Sequence, residues 1–484
     1  MNVIQRIAKN TTVLLVSQVI GMFFSFFTVM FAARYLGTEG YGIISFATAF
    51  AGMLHIFADL GLYSYTVREV SRDLNLTKKF VGMIIPIKCI LSVFYFIITA
   101  VIINILGYEQ NVINVVYIIT FSYVLYSFLQ MLYSVFQSYE KMEYMSICNV
   151  INSGLLLVGI IYAINQNFTV FGFACIYIIT NTITLSIAFL ITIRLFVKIK
   201  IKINIKEWIG IIKISLPFAI VRMANTIYFY IDSVMLSYVY GQSAVGLYNA
   251  AYGIVFSLNF VPLLYGQSIY PMLSRLFKTS KKEQELLVQF SFRLMTIFAI
   301  PLGIGITLLS DKIILLIFGD EFFESIFILQ ILIWAIVFKF INSVFLRFLY
   351  ASDKEIITTK IILVGVIVNI VMNIFLIPSY SYFGAAFATV TTEFILLIGL
   401  YYYSSYKMSK KDLLIFISKI GIATIAMASF IYYFHSYNLA FIAVFGTAIY
   451  FLIFYLVKGL DEQDIVIIKQ LGDGIIFNRN KTKK

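Results

Sequence analysis

Long apolar runs alternate with short polar gaps from residue 11 to residue 457. A hydrocarbon core about 30 Å thick is crossed by about 20 helical residues. Fourteen runs approach that length: 11–33, 42–63, 80–106, 112–136, 147–164, 170–196, 209–236, 244–266, 290–309, 326–349, 356–377, 383–403, 413–434 and 439–457. Lipid offers no partner to an exposed backbone N–H or C=O, so each run is expected to be a helix. The first run is not followed by a small-residue cleavage site and is read as a retained helix. The expected fold class is an all-α integral membrane protein with about 14 transmembrane helices.

Composition removes the main competitor. Of 484 residues, 61% are hydrophobic and 12% charged, and the mean hydropathy is +0.95. Soluble domains are about a quarter charged. The net charge of +13 would suit nucleic acid in a soluble chain; in this one it reports topology, and no nucleic-acid partner is expected. With the N-terminus placed in the cytoplasm, 27 of the 36 Lys and Arg fall in inner loops and termini. The outer loops hold only Arg34 and Lys312. Both termini are therefore expected to be cytoplasmic.

Several chemistries drop out as well. No loop reaches forty residues, which opposes an external catalytic domain, and no GxxxxGK[ST] phosphate loop is present. Cys89, Cys148 and Cys175 form no CxxC pair, and His55 and His435 are the only histidines. No metal, no cofactor and no enzyme activity are expected. The end of the chain, 459–484, carries Ile465, Ile467, Ile468 and Leu471 among charges and reads as a short interfacial helix with a basic end.

Shifting the chain by 204 residues lays 35–43 on 239–247, so that Gly37 meets Gly241, Gly42 meets Gly246 and Ala47 meets Ala251. Six spans separate the copies, an even number, which implies a parallel repeat about an axis along the membrane normal. Two parallel six-helix bundles are expected, 1–200 and 201–406, then an extra helix pair at 407–458 and a cytoplasmic tail at 459–484. The stretch Ala33-Arg-Tyr-Leu-Gly-Thr-Glu-Gly-Tyr-Gly42 is followed by Ala58-Asp-Leu-Gly-Leu62 and Val67-Arg-Glu-Val70. Together with Tyr382-Phe-Gly-Ala-Ala-Phe387, these resemble the polysaccharide-repeat-unit (lipid-linked oligosaccharide) flippases of the MOP superfamily, which also holds the MATE exporters and the lipid II flippase. The resemblance implies a MATE-like fold, two lobes around a central cavity, alternating access, and an undecaprenyl-pyrophosphate-linked oligosaccharide as cargo.

With Arg194 and Lys360, near the inner ends of runs 170–196 and 356–377, counted among the 27 at the inner side, seven basic residues remain inside spans: Lys88, Lys213, Arg222, Arg293, Lys339, Arg347 and Lys419. Each costs about 2.5–3.5 kcal/mol at a helix centre. Lys213, Arg347 and Lys419 lie near inner ends, within snorkelling reach. Lys88 and Arg293 read equally as topological anchors or cavity cations, whereas Arg222 and Lys339 lie deeper and call for water or an anion. On the seventh span, Arg222, Asn225, Thr226, Asp232 and Ser233 share one stripe, beyond a helix-bending Pro217. The second span carries Ser45, Thr48, Gly52, His55 and Asp59 at helical spacing. His55 and Asp59 are placed to pass a proton, with an Asp59–Arg68 pair as the structural alternative. Glu393, beside Thr389 and Thr392, is a candidate coupling group on the twelfth span. Tyr248 and Tyr252, with Asn249 and Asn259, are aromatic candidates for stacking on sugar.

Basic residues within the spans outnumber the acids Asp59, Asp232 and Glu393, a sign that suits anionic cargo. The expected function is a flippase carrying lipid-linked oligosaccharide repeat units from the inner to the outer leaflet of a bacterial or archaeal cytoplasmic membrane, for surface polysaccharide. The alternative is a cation-coupled small-molecule (multidrug-type) antiporter of the same superfamily. Substrate-binding candidates are Arg222, Lys339, Lys88, Arg293 and Asn225; coupling or gating candidates are Asp59, His55, Asp232 and Glu393. Expected partners are the lipid-linked anionic oligosaccharide, membrane lipid, and a glycan polymerase or glycosyltransferases at the basic inner surface.

Overall fold

The structure, a computed structural model, describes residues 3–198, 200–404, 409–461 and 464. The first half holds α1 (Val3–Leu54), α2 (Ile56–Asp59), α3 (Leu62–Arg72), α4 (Thr77–Ile105), α5 (Gln110–Ser138), α6 (Met142–Asn165) and α7 (Val170–Leu195). Then come α8 (Ile205–Tyr240), α9 (Gln242–Ser257), α10 (Phe260–Thr279), α11 (Lys281–Ile317) and α12 (Ser325–Ala351). The last three are α13 (Glu355–Ser404), α14 (Lys410–Tyr433) and α15 (Leu439–Leu456). No strand occurs among the described residues. Among the described residues, eleven helices are long and apolar enough to cross a membrane, or twelve when α8 is taken as one bent span.

The apolar runs and the helices do not correspond one to one. Run 11–33 and most of run 42–63 are joined in α1, whose helical path breaks at Gly37 (φ 68, ψ −175), and the second run continues through α2 into α3. Runs 356–377 and 383–403 are joined in α13, broken at Ser381 (φ 51, ψ −135). The run 244–266 is instead divided between α9 and α10. Capping explains two helix starts. Asn204 and Ser280 each stand three residues before a glutamate and accept its backbone N–H, opening α8 and α11. The bend expected on the seventh span is present at 48°, between Ile205–Ile220 and Arg222–Tyr240, one turn beyond Pro217.

The chain divides into two compact units, Met1–Asn249 with Asn373–Tyr382, and Ala250–Met372 with Phe383–Lys484. The first unit packs α3, α4, α5 and α8 around Val81, Ile84, Leu132, Val135 and Phe136, while Phe46 and Phe50 of α1 are buried elsewhere in it. In the second, α14 and α15 close on α11 through Ile297, Phe416, Ile420, Met427 and Tyr450, and the Tyr450 hydroxyl donates to the Ile297 carbonyl at 2.9 Å. Large apolar side chains such as Ile105, Ile90, Phe375 and Tyr432 face outward, as lipid-facing helices require.

The stretches aligned by the 204-residue shift have matching backbones. Gly241 (φ 78, ψ −169) repeats the conformation of Gly37, one that L side chains rarely adopt. Four residues on from Thr38 and from Gln242, two glycines meet reciprocally. A Cβ on Gly42 would lie 1.8 Å from the Gln242 carbonyl oxygen, and one on Gly246 would lie 2.0 Å from that of Thr38. Only hydrogen fits at either place. The tail expected to form an interfacial helix lies outside the described residues, apart from its first residues through Asp461 and Asp464.

Candidate functional site

The site in the first unit starts from a local chain break. After α2, Leu60 (φ 43) and Gly61 (φ 79) both take the left-handed conformation. A Cβ on Gly61 would meet the Ser215 carbonyl oxygen of α8 at 2.4 Å, so glycine is needed both for the turn and for the approach. The Ala58-Asp-Leu-Gly-Leu62 motif thereby ends a helix inside the protein and leaves the Asp59 carboxylate buried.

That carboxylate has two cationic neighbours. Lys88 of α4 donates from Nζ to Asp59 Oδ1 and to Ser127 Oγ, both at 2.8 Å, and its side chain has no solvent exposure. Arg222 of α8 approaches Asp59 Oδ2 at 3.6 Å and donates to Gln130 Oε1 at 3.1 Å, with 39% of its side chain exposed. Two cations around one carboxylate leave one positive charge in excess, and the accessible part of it is Arg222. The alternative Asp59–Arg68 pair does not form; Arg68 pairs with Glu69 and lies over Tyr65 and Phe218.

Arg222 borders a cavity of about 280 Å³. His55, Tyr123, Tyr126, Tyr230 and Gln130 form much of its wall. The His55 ring lies 5.3 Å from the Tyr123 ring and 6.0 Å from that of Tyr126. Its Nε2 is buried and has no hydrogen-bond partner among the described residues. Gly52 keeps the space open, since a Cβ there would stand 2.9 Å from Tyr230 and 3.1 Å from the Tyr123 hydroxyl. Sequence reasoning passed over Tyr123, Tyr126 and Gln130, although 123, 126, 130, 134 and 137 form a polar stripe at helical spacing along α5.

Within the first unit, Asp232 and Asn225 are not among the residues that line this cavity. Asp232 is buried and accepts from Tyr248 Oη at 2.7 Å and from Asn373 Nδ2 at 2.5 Å; Asn373 on α13 was not anticipated. Tyr248 is fully buried there, a carboxylate partner rather than an open stacking face. Asn225 is exposed on α8. In the second unit, Lys339 reaches Glu393 at 3.6 Å, and Asn342 donates to the same carboxylate at 2.9 Å. Arg293 is enclosed by Asp461 and by Asp464, the latter at 3.0 Å, and lies over the Phe416 ring. Lys419 donates to the Lys458 carbonyl at 2.7 Å, Lys213 is exposed, and Arg347 packs against Gly266. Among the described residues no group of three His, Cys, Asp or Glu could hold a metal.

An all-helical chain with at least eleven apolar spans and cations enclosed among them is a multi-pass membrane protein of transporter type. Its fold is that of the lipid II flippase MurJ in its inward closed conformation, with TM-score 0.75 at 17% identity over 95% of this chain and 100% of that one. The model of the family described as polysaccharide biosynthesis protein matches residues 7–277, more than half of the 484, and the chain belongs to that family. A MatE family model matches residues 217–375. Among relatives, the probable low-salt glycan biosynthesis flippase Agl15 of Haloferax volcanii is 22% identical over 395 residues, 79% of this chain and 80% of that protein. The uncharacterized membrane protein MJ1068 of Methanocaldococcus jannaschii is 32% identical over 171 residues, which is 35% of this chain and 34% of that protein.

Proposed function

We infer that this chain is a polysaccharide flippase: it moves oligosaccharide units on an undecaprenyl-pyrophosphate carrier from the inner to the outer leaflet of a cytoplasmic membrane by alternating access. The observation that carries the reading is the half-exposed guanidinium of Arg222 beside a tyrosine-walled cavity. A diphosphate is met by the planar donor fork of arginine. A pyranose ring is met by aromatic faces and by isolated donors and acceptors such as His55 Nε2 and Gln130. At about 280 Å³ the cavity suits one ring or the diphosphate rather than a whole glycan. Membership in a polysaccharide family and likeness to a protein named as a glycan flippase support the same substrate class.

The four acids and bases assigned to coupling have different settings. Asp59 joins Lys88 to Arg222, so a change in its charge would free Arg222 to turn toward cargo. His55 stands at the cavity wall one helical turn before it. Asp232 accepts from Tyr248 and Asn373 and is the position where a cation or proton would enter, whereas Glu393 is shared between Asn342 and the cation Lys339, so protonating it would free Lys339. Lys339 is the second cargo contact, while Lys88 and Arg293 hold the protein together around their carboxylates.

The proposed topology has fourteen spans, with α1 and α13 each crossing twice. Their 52 and 50 residues extend about 75 Å, more than twice a hydrocarbon core. The basic loops place both termini in the cytoplasm. The proposed organisation is two parallel six-helix bundles, an added helix pair and a basic tail; a glycan polymerase or glycosyltransferases dock at the inner face.

The test uses proteoliposomes carrying purified protein and a fluorescent undecaprenyl-pyrophosphate oligosaccharide, with the outer leaflet quenched chemically. Protein-dependent loss of protected fluorescence is expected, and it falls in Arg222→Ala and Lys339→Ala. Rates unchanged in both variants overturn the assignment. The MatE match favours a second reading, a cation-coupled antiporter; gradient-driven drug uptake without lipid movement selects it.

A further inference from the structure

The segment entering α8 reads Lys198-Ile-Lys-Ile-Lys-Ile-Asn-Ile-Lys206, a strict alternation of polar residues, four lysines and one asparagine, with isoleucine. Residues 200–203 are not helical, and Asn204 is extended (φ −149, ψ 98). An alternating sequence in extended backbone puts Ile201, Ile203 and Ile205 on one side, with Lys200 and Lys202 on the other. The three isoleucines are 65%, 73% and 65% exposed.

Specific contacts hold this segment in place. The Lys202 N–H donates to the Gly82 carbonyl of α4 at 3.0 Å. A Cβ on Gly82 would lie 2.1 Å from the Lys200 carbonyl oxygen, so the glycine forms a seat for the crossing chain. Glu207 then collects Lys79 at 2.7 Å and Lys202 at 3.1 Å. The backbone is fixed against the first unit while its apolar side chains point away from it.

Two observations say what covers them. The exposed isoleucines continue into Ile205, Ile209, Leu216 and Ile220, an exposed stripe of α8 at spacings of four, seven and four that includes one exposed cation, Lys213, within snorkelling reach of the headgroups. The apolar surface is therefore one band running from a membrane-crossing helix onto the connecting segment. Lys198, Lys200 and Lys206 flank it, all exposed and without a carboxylate in ion-pair range among the described residues.

We propose that residues 200–206 form a membrane-surface anchor: Ile201, Ile203 and Ile205 enter the acyl boundary, and Lys198, Lys200 and Lys206 bind anionic phospholipid headgroups. Alternating insertion and headgroup attraction are the two terms by which interfacial segments bind anionic bilayers. The anchor fixes the entry of α8, the helix that brings Arg222 to the cavity. It depends on this end of α4 and α8 lying at a bilayer surface and not on what the protein transports.

Nitroxide scanning of the full-length protein in nanodiscs tests it. Single cysteines at 200, 201, 202, 203, 205 and 206 are introduced in the Cys89→Ser, Cys148→Ser, Cys175→Ser background, leaving the α8 cap Asn204 in place, and collision with oxygen and with an aqueous nickel chelate is compared. The expected result is a two-residue alternation, with 201, 203 and 205 in lipid and 200, 202 and 206 in water. Phosphatidylglycerol should deepen the odd positions relative to phosphatidylcholine, and Lys198→Gln, Lys200→Gln, Lys206→Gln together should abolish that difference. Equal accessibility along the segment overturns the proposal. So does motional immobilisation at 203 and 205, which reports a protein partner instead. These exposed positions tolerate cysteine, and preserved flipping in the unlabelled Ile203→Cys protein separates this outcome from failure of the flippase assignment.

Discussion

Lys88 Nζ and Asp59 Oδ1 lie 2.8 Å apart in a pair whose lysine has no solvent exposure. Breaking a buried pair by removing one partner costs about 3–5 kcal/mol, because the remaining charge stays desolvated. The two single variants are not equivalent. Lys88→Met leaves Asp59 with Arg222 at 3.6 Å and should fall near the lower end of that range. Asp59→Asn leaves a wholly buried lysine without its carboxylate and should lose more, while Lys88→Met/Asp59→Asn should recover most of the loss. Thermal unfolding in detergent measures all three, and equal melting shifts for the two singles would show that Arg222 does not compensate.

Arg222 should behave in the opposite way. Its side chain is 39% exposed, so Arg222→Lys is expected to leave the melting temperature unchanged. It keeps the charge but loses the fork that joins Gln130 to the carboxylate. Hydrogen bonds to charged groups contribute about 1.5–3 kcal/mol, so transport is expected to fall roughly tenfold or more. Flipping rates at matched protein density check this, with Gln130→Ala giving a smaller decrease.

Much of this was readable in the sequence, for physical reasons. Spans are written as apolar length, and Gly37 and Gly241 mark the same unusual backbone 204 residues apart. Cations within the spans were visible because the bilayer makes them rare. Their partners were not. Asp461 and Asp464 reach Arg293 across 168 and 171 residues, a relation set by tertiary packing alone. Tyr123 and Tyr126 were not singled out, because periodicity names a face without naming what it meets, and only α8 opposite them makes that face a cavity wall.

The reciprocal seats of Gly42 and Gly246 make a sharp stability test. Gly42→Ala and Gly246→Ala each force a Cβ onto a carbonyl oxygen, and overpacking of this kind costs about 1–3 kcal/mol. Both disturb the same contact, so the double variant should fall short of the sum. Gly210→Ala is the control: its Cβ meets nothing within 4 Å, and alanine in a helix favours folding by about 0.5–1 kcal/mol. An additive double variant would mean that the two glycines act separately.

Arg293 ties α11 to the residues after α15, and its two carboxylates should not contribute alike. Asp464 is 4% exposed at the side chain, whereas Asp461 is 46% exposed. Asp461→Asn should therefore change stability by less than about 1 kcal/mol, as screened pairs do. Arg293→Met strands Asp464 in a buried setting and should cost about 3 kcal/mol, recovered when Asp464→Asn is added. Because the pair fastens the chain beyond α15, Arg293→Met should also speed proteolysis after Val457 while leaving the flipping rate per folded molecule unchanged. A fall in that rate without a change in melting or proteolysis would instead make Arg293 a cargo contact, since cargo binding needs the guanidinium and packing does not.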